Sequence, residues 1–149
     1  MKRNTFRFAA ILSLALMLTA SVVFANPDLK IKATIPFEFS VGSRTLPAGK
    51  YILKPVNNEG LLVIQNVDNQ RLVALLSTSN IQAIPGQEQS RLVFRKYGDQ
   101  YFLGQVWPGG IAAGFQSGKS DRERELLKAP NKNLARRSTS PENVTVTAQ

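Results

Sequence analysis

The sequence predicts an all-β domain, a single antiparallel sandwich or small barrel of about six to eight strands with one short C-terminal helix. Two observations carry the prediction. Leu29 to Val41 (LKIKATIPFEFSV) is apolar at every odd position, with Lys30, Lys32, Thr34, Pro36, Glu38 and Ser40 between. That two-residue period sets one side of a strand on a core and the other in water, whereas a helix would scatter the same residues around its circumference. Beyond this stretch, turn signals recur about every ten residues, the spacing of a meander that closes on itself.

Residues 1–25 read as an export signal. Lys2, Arg3 and Arg7 form a basic start, Phe8 to Ala20 an apolar core, and Val23-Phe24-Ala25 a small-residue cleavage pattern. With no cysteine at the cleavage point and no twin arginine, the expected path is the general secretory route, ending in the periplasm or outside the cell. Removing 25 of the 149 residues leaves 124, one domain's worth, and lowers the net charge from +9 to +6. The chain has no cysteine, which excludes a disulfide framework and a thiolate metal site. The basic residues are dispersed, so the expected partner is a protein or a cell-surface polymer and not nucleic acid. Weak electrostatic attachment to anionic membrane or polysaccharide fits the same charge.

The β-domain is expected to span 26–128. The opening strand needs a bend at Pro36, because 13 residues at about 3.3 Å each would run to about 43 Å. Pro47-Ala48-Gly49 is a turn with Leu46 tucked into the core ahead of it. Lys50 to Val56 follows as a strand, with Tyr51 and Leu53 on one face and Pro55 marking an edge or bulge. Leu61 to Val67 is apolar on both faces at first. Arg71 to Ile81 begins with an unbroken apolar run, predicting a central strand covered on both sides. Arg91 to Tyr97 and Tyr101 to Trp107 flank the turn Gly98-Asp99-Gln100 as a hairpin, and Ile111 to Phe115 is a short strand or a loop on the barrel mouth. Ser120-Asp121-Arg122-Glu123 is a capping box, serine accepting from the third helical amide and Glu123 reaching back, and it starts a helix to about Lys128 held by Leu126 and Leu127. Residues 129–149 have few large apolar side chains and are expected to be a disordered tail, Val144 to Thr147 alternating but with nothing to pair against.

Catalytic chemistry finds little footing. The chain has no histidine, which removes the commonest proton-transfer group and metal ligand, and no Gly-x-Ser-x-Gly elbow. The acidic residues fall mostly in turns (Glu59, Asp68, Asp99) or on the helix (Asp121, Glu123, Glu125), the places of turn formers and helix cappers. Gly118-Lys119-Ser120 resembles the end of a phosphate-binding loop, but Ala113 stands where its first glycine belongs and no βαβ unit surrounds it. No catalytic residue, cofactor or metal site is assigned. The candidate binding surface is aromatic: Phe94, Tyr97, Tyr101, Phe102 and Trp107 share one hairpin, where they either stack as a platform or fill the core. Strict alternation sets Trp107 with Tyr101, Leu103 and Gln105, and Phe102 with Gly104 and Val106 on the other face.

The run Ala33-Thr34-Ile35-Pro36-Phe37-Glu38-Phe39, then Leu46-Pro47-Ala48-Gly49-Lys50-Tyr51, then Tyr97-Gly98-Asp99-Gln100-Tyr101-Phe102-Leu103 with Trp107, then Ser120 with Glu123-Arg124-Glu125-Leu126, resembles a family of small exported bacterial proteins of unknown function. The likeness runs from about Lys30 to Lys128 and implies no activity or ligand. The expected function is therefore a non-enzymatic exported β-domain with a binding or scaffolding role, contacting its partner through the Arg91 to Trp107 hairpin. A periplasmic carrier of an apolar or carbohydrate ligand is the alternative, and a carboxylate-based hydrolase a weaker one. An outer-membrane barrel is disfavoured on a count of six or seven strands against the minimum of eight.

Overall fold

The computed structural model describes residues 29–56, 60–82, 88–128 and 141–149. The expected signal peptide (1–25) and the 129–140 part of the expected tail lie outside the described residues. The strands are β1 (Ile31–Ile35), β2 (Phe39–Val41), β3 (Arg44–Leu46), β4 (Gly49–Val56), β5 (Leu61–Asn66), β6 (Leu72–Gln82), β7 (Ser90–Tyr97), β8 (Gln100–Trp107), β9 (Ala113–Ser117) and β10 (Glu142–Ala148), with one helix, α1 (Asp121–Lys128). Eight of them close an antiparallel barrel in the order β8-β7-β10-β1-β4-β5-β6-β9, β9 returning to β8, while the β2–β3 hairpin joins β8 through a parallel bridge at Ser40 and Phe102.

The two-residue period governs the barrel wall. Ile31, Ala33 and Ile35 of β1 point inward and are buried, and so are Tyr51 and Leu53 of β4, Leu62 and Ile64 of β5, and Leu92 and Phe94 of β7. Between them Lys32, Thr34 and Lys50 face outward and are exposed. Burying each large apolar side chain contributes about 1.5–3 kcal/mol, so this packed axis holds the fold without a crosslink.

The opening stretch breaks at Pro36, as the length argument requires. β1 lies between β10 and β4, whereas β2 lies against β8, so Pro36 to Glu38 carry the chain across one mouth of the barrel. Phe37 drops from that crossing onto the core, stacked on Tyr101 at 3.9 Å between centroids and edge-on to Phe94 at 5.1 Å. Tyr51 also reaches this end, donating its hydroxyl to the Pro47 carbonyl at 2.7 Å and so tying the Pro47-Ala48 turn to the strand that follows. Pro55 is tolerated because the pairing of β4 with β1 stops at Leu53, leaving the proline nitrogen beyond the ladder on that side.

Four expectations need correction. Glu142–Ala148 is not disordered: it is β10, paired along its length with β7 and at Ala148 with β1. A lone strand would be unstable, but two open strand edges supply the hydrogen bonds, and Val144, Val146 and Ala148 add the apolar face. The strand count used against an outer-membrane barrel fails with it, since eight strands close. β6 is not covered on both faces, as Leu72 and Leu75 are 52% and 59% exposed. Finally, the pairing of β7 with β8 slips between Val93 and Phe94, a bulge that passes over Gly104. It inverts the alternation midway, so Phe102, Gln105 and Trp107 face outward while Leu103 and Val106 face inward.

Candidate functional site

The five aromatic side chains singled out in the sequence are distributed over three places. Phe94 is fully buried in the core, edge-on to Phe39 as well as Phe37. Tyr101 is half-buried at the crossed mouth, stacked on Phe37, with the Lys96 ammonium 5.8 Å from its ring. Lys96 is paired in turn with Glu142 at 3.1 Å. Trp107 lies on the outer wall, its ring so close over Gly114 that a Cβ there would stand 2.4 Å from a ring carbon. The Arg91 guanidinium covers it at 5.6 Å, and its indole N–H donates to Gln105 at 3.0 Å. Tyr97 and Phe102 meet edge-to-face at 5.9 Å, also on the outer wall. None of the five is exposed, and together they form no single platform.

A polar latch fixes α1 beside them. Ser120 caps the helix by accepting from the Glu123 amide at 3.2 Å, one half of the expected capping box. The Glu123 carboxylate does not reach back. It is fully buried and accepts from Arg95 Nε at 2.7 Å, Arg95 Nη2 at 2.9 Å and the Tyr97 hydroxyl at 3.0 Å. The helix is thus held by its buried acid, not by Leu127, which is exposed. Arg95 donates further to the Ser117 and Gly118 carbonyls, both at 3.3 Å, and lies across Gly104, where a Cβ would stand 2.8 Å from Nη1. Burial, and then the hydrogen bond to Glu123, push the Tyr97 hydroxyl up to about 12. Every oxygen of this acid is engaged by the protein, so the group is structural and no substrate reaches it.

The accessible feature is the seam of the barrel. β9 pairs with β6 only from Thr78 onward, and the segment Leu72–Ser77 is paired with β5 on one side and has no hydrogen-bonded strand on the other among the described residues, although β2 lies close by. The β2–β3 hairpin stands opposite. Arg44 of that hairpin spans the gap, donating from Nη1 to the Val73 carbonyl at 3.1 Å. Between them lies an open groove of about 280 Å³ lined by Val41, Ser43, Arg44 and the run Leu72 to Leu75. Because the Thr78 amide bonds the Gly60 carbonyl on the β5 side, alternation turns the main-chain groups of Leu75 toward the open side. Apart from Leu127, Leu72 and Leu75 are the large apolar side chains exposed among the described residues.

Sequence reasoning missed this site because it read the run LVALL as a sign of cover, when the same run marks an uncovered outer face. Among the described residues no group of three or more acids stands close enough to hold a metal ion, and no helix is long and apolar enough to cross a membrane. Compared with family models, characterised proteins and solved structures, the chain matches none.

Proposed function

We propose that this is a non-enzymatic exported β-barrel module with a binding or scaffolding role, and that it engages a partner protein at the seam beside β6. One observation carries the reading. A barrel removes its sheet edges by closing, yet here a stretch of edge stays open with two exposed leucines beside a groove. An open edge of that kind is the place where a partner chain adds main-chain hydrogen bonds and apolar contacts together. The packed interior favours a surface role over the carrier alternative, since Phe39, Tyr51 and Phe94 occupy the axis where a ligand would sit. The export signal in residues 1–25 and the resemblance to small exported bacterial proteins fit an envelope or secreted location.

Purification of the exported form from its host, followed by mass spectrometry of what accompanies it, tests the reading. A protein that accompanies the native chain and is lost on Leu75→Asp is expected. A stoichiometric small molecule with no Leu75-dependent protein would overturn it in favour of the carrier.

A further inference from the structure

We propose that the seam takes an extended acidic segment of a partner protein, its main chain laid along the Leu72–Leu75 edge and a carboxylate paired with Arg44. The inference rests on the binding role proposed above and names what is bound. Three features of the groove select the occupant. The main-chain groups of Leu75 face the open side, which asks for a partner that brings its own amides and carbonyls, and an extended polypeptide does so. Leu72 and Leu75 offer exposed apolar side chains beside the groove that suit alternate side chains of a strand.

Charge supplies the third feature. Arg44 commits one guanidinium nitrogen to the Val73 carbonyl and presents the rest of a planar donor fork beside the groove. Arg71 is exposed at the start of β6, and Arg122 of α1 reaches the hairpin through Thr45 Oγ1 at 2.8 Å. Asp121 is engaged by Arg124, and Asp68 lies in the turn ahead of Arg71. The rim is therefore rich in arginine. A second copy of the chain would bring the same arginines against these and, from Asn26 onward, add another +6 of like charge, which opposes self-association through this edge.

The probe is a short capped peptide of alternating aspartate and valine, compared with the same peptide carrying lysine in place of aspartate. Both are titrated into the chain from Asn26 while backbone amide NMR shifts and binding heat are followed. The aspartate peptide is expected to shift the amides of Leu72–Leu76, to bind more weakly as salt is raised, and to lose about tenfold or more in affinity on Arg44→Glu. The lysine peptide is expected to leave them unmoved. Equal binding of both peptides, or shifts confined to another face, would overturn the proposal. So would sedimentation showing a dimer that Leu75→Asp dissolves, because the occupant would then be a second copy. A partner lost on Leu75→Asp in the host, with no binding of the aspartate peptide, would leave the binding role standing and remove this occupant.

Discussion

Replacing Glu123 by glutamine keeps the shape of the side chain and removes its charge, which isolates what the latch contributes. In the native chain the carboxylate is fully buried and its two oxygens accept three hydrogen bonds, two of them from Arg95, whose side chain is 14% exposed. The amide of Glu123→Gln offers one acceptor and turns an NH₂ toward donors, leaving Arg95 as a nearly buried cation. Breaking a buried pair from one side costs about 3–5 kcal/mol. The Ser117 and Gly118 carbonyls still accept from Arg95, so the low end, about 3 kcal/mol, is expected. For a domain of this size that lowers Tm by about 10 °C. Urea unfolding followed by circular dichroism would measure it, with Arg95→Met and the double variant closing a cycle. Because the double variant leaves no unpaired charge, it should recover much of the loss. A Glu123→Gln loss below about 1 kcal/mol would refute the buried-latch argument.

Two further outcomes follow from the geometry. Ending the chain before Glu142 strips β10 from between β7 and β1 and exposes both edges, so cooperative unfolding should disappear and the protein should aggregate. Tyr97 should remain protonated in the fold well above the unfolded value of 10, reaching half-ionisation near 12. With the folded value raised, its contribution is complete below about pH 10 and falls away as pH climbs toward 12. Alkaline unfolding should therefore lose about 2–3 kcal/mol across that window, a loss that Tyr97→Phe abolishes.

Local patterns were legible where one residue's neighbours in sequence decide its place. The alternation of Ile31, Ala33 and Ile35, the bend at Pro36, the inward Tyr51 and Leu53 and the Ser120 cap all depend on such neighbours. What stayed hidden depends on distant partners. Val144 and Val146 alternate visibly, yet a strand there is stable only because β1 and β7 leave facing edges. Glu123 sits in a helix whose sequence reads as solvated, and nothing near it announces Arg95, 28 residues earlier. A single bulge at Gly104 reversed the faces of the aromatic hairpin, and a glycine inside a strand pattern was the available warning. The apolar run of β6 misled for a related reason: short apolar runs in small barrels can lie at an uncovered seam.

Native-state hydrogen exchange of the chain alone tests the central claim most directly, since that claim is a closed barrel whose β6 edge stays unpaired from Leu72 to Ser77. The Leu75 amide should exchange rapidly under native conditions while the Leu76 amide, turned toward β5, and the ladder amides of β10 exchange only through global unfolding. Protection of Leu75 equal to that of Leu76 would mean that the seam is shut, and the proposed binding edge would not exist.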